Sequence, residues 1–70
     1  MMNIYAKEGT KVVYTGKGGY DHHIDHANKY LKIDETYTVD YTIVGRGHTD
    51  VYFKELPGKG FNSVHFKDLI

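Results

Sequence analysis

The sequence predicts a mainly β fold, a small five-stranded antiparallel barrel whose long first loop carries a short helix. The main evidence is residues 37–44, where apolar and polar side chains alternate at the two-residue period of a strand. Other short apolar runs are separated by glycine-containing turns, and only one segment has helical spacing. With 70 residues, the chain has the size of a single domain, so we expect one domain over residues 1–70.

The first elements in the chain are a tail and a strand. Residues 1–9 contain the apolar patch Met2–Tyr5, which predicts a short strand or a tail that lies over the barrel. Lys11–Tyr14 is the first predicted strand, because two valines and a tyrosine lie between the turns at Gly9–Thr10 and Thr15–Gly16.

The long first loop contains the predicted helix. Gly16–Gly19 is a flexible break, and within the following segment Ile24, Ala27 and Leu31 recur at the three- and four-residue spacing of a helix. Asp21 is expected to cap the first turn. One or two helical turns would hold the loop against the barrel through Ile24 and Leu31.

The central strand belongs to the stretch Leu31–Val44 and begins after a turn at Ile33–Thr36. Strict alternation predicts a buried face of Tyr37, Val39, Tyr41 and Ile43 and an outer face of Thr38, Asp40, Thr42 and Val44. The elements predicted after it are a hairpin connection Gly45–Asp50, a strand Val51–Leu56, a turn Pro57–Gly60, a strand Phe61–Val64, and a helical turn with a last strand in His65–Ile70. The predicted core residues are Val12, Tyr37, Val39, Tyr41, Ile43, Val51, Phe53, Phe61, Phe66 and Leu69.

This order of elements is that of an SH3-like barrel, and parts of the sequence strengthen the comparison. The chain resembles the small SH3-like proteins of bacteriophages and prophages of Gram-positive bacteria, whose pattern is roughly L-K-x-G-K-x-Y-T-V, V-x-L-x-E and F-N-S-x-R-F. The matching segments lie within residues 31–69 and are Leu31–Lys32, Tyr37–Val39, Val51–Glu55, Gly60–Ser63 and Phe66. Asp34 stands where that family usually has glycine, and His65 stands where arginine is common. The resemblance implies a small accessory protein that acts on a host or phage protein in the host cytoplasm.

Composition narrows the functional classes. Nine basic and nine acidic side chains give zero formal charge, which argues against a protein whose main task is to neutralise phosphates and favours a partner or self-association. The chain has no cysteine, so it cannot form disulfides or thiolate zinc sites. No apolar run is long enough for a membrane helix and the N-terminus lacks a signal-peptide pattern, so we expect a cytoplasmic protein without membrane contact.

Protein binding is the function that the sequence favours. In SH3-like barrels the long first loop and the hairpin connection flank a surface groove, and tyrosine and arginine are frequent interface anchors. The predicted partner-binding residues are Tyr14, Tyr20, His22, His26, Tyr30, Arg46, His48 and Tyr52. We expect neither catalysis nor a cofactor, because no cysteine nucleophile and no G-x-S-x-G motif is present.

Two alternatives stay open. A nucleic-acid groove would combine stacking tyrosines with basic residues, here Tyr14, Tyr20, Tyr30 and Tyr52 with Lys17, Lys29, Lys54 and Arg46. A metal site would use His22 and His26, one helical turn apart, with His23, Asp21 or Asp25 completing the ligands, although no second ligand pair is visible. The sequence Gly16–Gly19 matches no phosphate-binding motif and is interpreted as a hinge.

Overall fold

The computed structural model describes residues 1–69, which form one five-stranded antiparallel sheet and two short helical segments. In chain order the elements are β1 (Lys11–Tyr14), α1 (Asp21–Asn28), β2 (Thr36–Val44), β3 (Thr49–Phe53), β4 (Leu56–Asn62), a 3-10 helix (Ser63–His65) and β5 (Phe66–Asp68). The strand order is β4-β3-β2-β1-β5, so the sheet is open, with β4 and β5 at its edges. The mainly β fold, the five antiparallel strands and the short helix in the first loop confirm these parts of the prediction, whereas closure of the sheet into an SH3-like barrel stays a prediction.

Strand β1 has the predicted bounds and lies between β2 and β5. Its last three residues are buried because the strand is internal to the sheet. Before it, the N-terminal segment is a tail without strand structure, but it is anchored to the last strand. The Met2 side chain is buried, and its backbone N–H donates to the Phe66 carbonyl at 2.9 Å.

Strand β2 is the predicted centre of the sheet, pairing with β1 through its first half and with β3 through its second. A β-bulge interrupts it at Asp40, because Val39 faces Phe53 whereas Tyr41 faces the adjacent Tyr52. An extra residue reverses the facing of every later side chain. The prediction that Tyr41 and Ile43 belong to the core is therefore wrong, and these side chains are 48% and 52% exposed.

The bulge moves the other half of the strand inward. Thr42 pairs with buried Val51, and its hydroxyl donates to the carbonyl of Ile4 at 2.8 Å. Val44 pairs with buried Thr49 at the end of the strand. Strict alternation assigned these two residues to the outer face of the sheet. Because of the bulge, they lie on the inner face that was predicted for Tyr41 and Ile43.

The connection between β3 and β4 differs from the prediction. The turn lies at Lys54–Glu55, where the Glu55 carboxylate accepts the backbone N–H of Thr38 at 2.9 Å. Pro57–Gly60, predicted as a turn, lies inside β4, and the ladder skips from Tyr52–Gly60 to Phe53–Leu56. Proline and glycine are tolerated there because β4 is an edge strand and the extra residues form a bulge.

The C-terminal helical turn and last strand begin earlier in the chain than predicted. Strand β4 ends at Asn62, and the helical turn is the 3-10 helix Ser63–His65, followed directly by β5. Leu69 was predicted to lie in the core but is exposed. The predicted last strand also included Ile70, which lies outside the described residues.

The core is formed by the inner face of the sheet and by the loop that carries α1. Its buried apolar residues are Met2, Val12, Tyr14, Ala27, Leu31, Val39, Val51, Phe53, Phe61 and Phe66, with Tyr37 packed against them. Six of the predicted core residues are buried, and Leu31 is buried in agreement with its predicted contact with the barrel, whereas the sequence did not identify Met2, Tyr14 and Ala27 as members. The aromatic rings meet in close tilted pairs, such as Phe53 and Phe66 at 4.9 Å between centroids.

Helix α1 is attached to this core by a few specific contacts. Ala27 and Leu31 are buried, while Ile24 is only half-buried. The Tyr14 hydroxyl donates to Asn28 Oδ1 at 2.7 Å, which connects β1 to the end of the helix. The residue before the helix is Tyr20 and it makes no side-chain capping bond, so Asp21 is the first helical residue and not the predicted cap.

Candidate functional site

A surface groove lies where four segments of the chain meet. The N-terminal tail, the segment before α1, the β2–β3 hairpin and the end of β4 with the 3-10 helix enclose a volume of about 450 Å³. Its lining residues are Met1, Ile4, Gly19, Tyr20, Val44, Gly45, Arg46, Gly47, His48, Thr49, Asn62, Ser63 and Val64. We call this surface the hairpin groove. The loop and the hairpin were predicted to flank a binding groove, whereas the contribution of the N-terminal tail to it was not predicted.

Close backbone approach forms one wall of the hairpin groove. Gly19 has a φ of +65°, and a Cβ there would lie 2.8 Å from Val64 Cγ2 and 3.1 Å from His65 Cε1. Only a residue without a side chain fits both the backbone conformation and the space. The 3-10 helix itself is capped by Asn62, whose Oδ1 accepts the backbone N–H of Val64 at 3.1 Å.

The hairpin forms the opposite wall. The backbone N–H of Gly45 donates to the His48 carbonyl at 3.0 Å, which closes the loop between β2 and β3. His48 Nε2 lies 3.0 Å from Asp50 Oδ1, so this histidine is held by a carboxylate. Arg46 is exposed, and among the residues that the structure describes it has no side-chain hydrogen bond and no ion pair. At the tip, no described residue other than the two chain neighbours has a heavy atom within 4 Å of the position of a Cβ on Gly47.

Next to the hairpin groove, four histidines surround the contact between α1, the hairpin and the 3-10 helix. The His23 ring is central, with centroid distances of 4.4 Å to His22, 5.6 Å to His48 and 6.5 Å to His65. We call these four residues the histidine cluster. A second cavity of about 300 Å³ lies beside it and is lined by His22, His23, His26, His48, Asp50, Gly60, Phe61 and Asn62.

Hydrogen bonds orient the rings of His23 and His65 within the histidine cluster. His23 Nδ1 lies 3.3 Å from the Asn62 amide nitrogen, which can only donate, so the ring nitrogen accepts. His65 is fully buried, and its Nδ1 donates to the carbonyl of Lys17 at 3.1 Å. In the described part of the chain, His65 Nε2 has no hydrogen-bond partner.

Burial lowers the pKa of His23 below its ordinary value. Electrostatic interactions with His22, His48 and His65 lower this pKa further, whereas the Asp50 carboxylate raises it. The neutral form of His23 is therefore favoured in the folded protein, which is consistent with its role as the acceptor from Asn62.

The predicted partner-binding residues separate into distinct surroundings. Tyr20, Arg46 and His48 line the hairpin groove, and Tyr20 is 64% exposed. His22 and His26 line the second cavity.

The remaining three do not reach the hairpin groove. Tyr14 is buried in the core and cannot contact a partner. Tyr30 lies near His26, with the Lys59 Nζ 4.4 Å above its ring. Tyr52 stacks on Tyr41 on the outer face of the sheet, at 4.6 Å between ring centroids.

Sequence reasoning missed the apolar lining of the hairpin groove. Met1 and Ile4 reach it through the fold of the tail, and Val44 reaches it because the bulge at Asp40 reverses its facing. No local sequence pattern indicates either arrangement. Val64 was missed because the sequence placed it at the end of a strand, Phe61–Val64, whereas it lies on the 3-10 helix.

The two alternative sites receive little structural support. Among residues 1–69, no group of three His, Asp or Glu side chains is arranged to hold a metal ion, so His22 and His26 have no co-ligands. The predicted stacking surface for nucleic acid is divided, because Tyr14 is buried and Tyr52 lies on the outer face. Lys54 is paired with Glu8 and lies 4.0 Å from Asp40.

In the described residues, no helix has the length and apolar character needed to cross a membrane.

Comparison with known proteins gives a family match over almost the whole chain. The model of a family described as Bacteriophage T4 protein Y07B matches residues 3–70. No curated protein and no solved structure matches the chain significantly.

Proposed function

Since the chain belongs to the bacteriophage T4 protein Y07B family, we propose that it is a small phage accessory protein that binds and modulates a host or phage protein. The family match supports the phage origin that the sequence resemblance implied. The Gram-positive host, the cytoplasmic location and the SH3-like identity of the fold stay predictions, the last supported by the strand order and the helix in the first loop. In this proposal the protein acts by binding, without catalysis and without a cofactor.

The observation that carries the proposal is the hairpin groove. It combines exposed apolar side chains with Tyr20 and Arg46, and these two residue types are frequent energetic anchors of protein interfaces. Met1 is 72% exposed and Val44 47% exposed, so this surface remains uncovered in the isolated chain. Exposed apolar surface rimmed by polar residues is typical of interaction sites.

The edges of the sheet are less suited to a partner than the hairpin groove. Strand addition needs a regular row of free backbone groups at a sheet edge. The β5 edge is occupied by the N-terminal tail, through the bond from Met2 to Phe66. The β4 edge contains the Pro57–Lys59 bulge, which interrupts the ladder. Recognition through side chains in the hairpin groove is therefore favoured over pairing with a sheet edge.

The proposal can be tested by affinity capture from nuclease-treated extract of phage-infected host cells. We expect the wild-type chain to recover one dominant protein, and the double substitution Tyr20→Ala with Arg46→Ala to lose it. The matched control is Tyr41→Ala with Ile43→Ala on the outer face, which removes comparable exposed surface away from the hairpin groove and should retain the partner. Retention of the partner by the groove variant, or no captured protein at all, would contradict the proposal.

A further inference from the structure

The charges that surround the hairpin groove indicate the chemistry of its partner. Building on the proposed function, we infer that the groove binds an extended protein segment in which a carboxylate accompanies an apolar side chain. Arg46 binds the carboxylate, and the apolar residues of the tail, β2 and the 3-10 helix contact the apolar side chain.

The lining of the hairpin groove is unusually one-sided in charge for this chain. The sequence contains nine acidic side chains, yet among the described residues that line the groove Arg46 is the only formally charged side chain, and none is Asp or Glu. The nearest carboxylate along the hairpin, Asp50, is engaged by His48 at 3.0 Å. Thus no carboxylate of the lining compensates the guanidinium, and an incoming carboxylate meets attraction without a competing acid.

The chemistry of arginine favours this assignment. A guanidinium presents two parallel N–H donors that match the two oxygens of a carboxylate, and such charge-assisted pairs are stronger than neutral hydrogen bonds. Arg46 is exposed on the hairpin, and no described side chain pairs with it, so it does not have to break an existing ion pair to bind.

The apolar part of the lining accounts for the second requirement. Ile4, Val44 and Val64 come from three separate segments and face the same space. Covering these side chains with an apolar group removes that surface from water, at about 25 cal/mol for each Å² buried. Tyr20 lies beside them with most of its ring exposed, as a flat surface on which a peptide backbone or side chain can pack.

A nucleic acid fits this surface less well than an acidic peptide. Nucleic-acid affinity grows with the number of phosphates neutralised, and the hairpin groove supplies one cationic side chain. Among the described residues no lysine lines the hairpin groove, and three of the eight lysines are engaged elsewhere, since Lys54 pairs with Glu8, Lys59 lies over Tyr30 and Lys11 donates to Thr38. One arginine is sufficient for one carboxylate.

The test is selection from a random library of short linear peptides on the immobilised full chain. We expect the enriched peptides to combine Asp or Glu with apolar residues, and Arg46→Glu to reverse the charge preference toward Lys or Arg. The matched control is Lys29→Glu, the same charge reversal at an exposed residue after α1 that does not line the hairpin groove. It should keep the acidic preference.

The best peptide from the selection then serves as the probe in fluorescence anisotropy. Arg46→Gln should weaken its binding about tenfold or more, as expected for loss of a charge-assisted pair, with an unchanged circular dichroism spectrum and melting temperature. Replacement of the peptide's acidic residue by its amide should cause the same loss, and should cause no additional loss in Arg46→Gln.

The outcomes separate this inference from the proposed function. Enriched peptides without acidic preference, or with a preference unchanged by Arg46→Glu, would overturn the inference but leave a peptide-binding groove. If no peptide is enriched, or if Tyr20→Ala binds the same peptides equally well, both proposals fail. Tighter binding of a labelled single-stranded oligonucleotide than of any selected peptide, abolished by Arg46→Gln, would overturn both in favour of a nucleic-acid site.

Discussion

The substitution Val39→Ala should destabilise the protein far more than Val44→Ala, although both remove the same atoms from strand β2. The Val39 side chain is 0% exposed, so its loss removes two buried carbon atoms, about 1.6 kcal/mol at ~0.8 kcal/mol per methylene. A residual cavity of roughly 40 Å³ adds about 1 kcal/mol at ~24 cal/mol per Å³. The expected loss of about 2.5 kcal/mol is a large fraction of the roughly 3.5–10 kcal/mol typical for 70 residues.

For Val44, which is 47% exposed at the edge of the hairpin groove, the same deletion leaves no closed cavity. We expect a loss below about 1 kcal/mol, because only the partly buried surface is affected. Urea denaturation followed by circular dichroism measures both values, and equal slopes with denaturant would confirm that only stability changed. Equal losses in the two variants, or a loss below 1 kcal/mol for Val39→Ala, would refute the packing and the bulge that separates these residues.

Three further predictions concern other parts of the molecule. Because the pKa of His23 is lowered in the folded state, the unfolded state binds the proton first, so stability should be complete above about pH 6.5 and should fall as the pH decreases below it. Melting temperatures between pH 5 and 8 measure this slope, and His23→Gln should reduce it. Zinc or nickel should not raise the melting temperature, because His22 and His26 lack co-ligands in residues 1–69, and micromolar binding in calorimetry would contradict this. Asp34 has a φ of +70°, so Asp34→Ala should be about 1 kcal/mol less stable than Asp34→Gly, and equal stability of the two variants would show that this backbone conformation is not strained.

The sequence predicted the local elements best where a single pattern determined the outcome. Strand β1 has the predicted bounds, because its apolar run is bordered by turn residues on both sides. The helix lies where Ile24, Ala27 and Leu31 recur, although Ile24 is less buried than expected. The departure at Asp34 from the family glycine is also explained, since the backbone there is left-handed and asparagine and aspartate tolerate that region better than most residues.

Predictions failed where tertiary structure changed a local pattern. The alternation in β2 continues through Tyr41 and Ile43, but one extra residue at Asp40 turns them outward, and nothing in the sequence marks that bulge. The proline and glycines of Pro57–Gly60 predicted a turn, but these residues lie in β4, because an edge strand tolerates proline and glycine.

The candidate site was predicted only in outline. The first loop and the hairpin do meet, which places Tyr20, Arg46 and His48 around one groove as predicted. Its apolar lining comes from the tail and from the reversed end of β2, and both depend on contacts between residues that are far apart in sequence. Tyr14 was assigned to the surface by its residue type, whereas its hydroxyl is satisfied inside the fold by Asn28.

The open space around Gly47 makes the hairpin tip suitable for a reporter group. The natural chain contains no cysteine, so Gly47→Cys would provide a unique thiol for coupling an environment-sensitive fluorophore. Apart from the two chain neighbours, no described residue has a heavy atom within 4 Å of a Cβ at this position, so the attached dye should leave the strands on either side undisturbed. Since the tip borders Arg46, a change in emission from this single labelled site would report occupancy of the groove while the ligand itself stays unmodified.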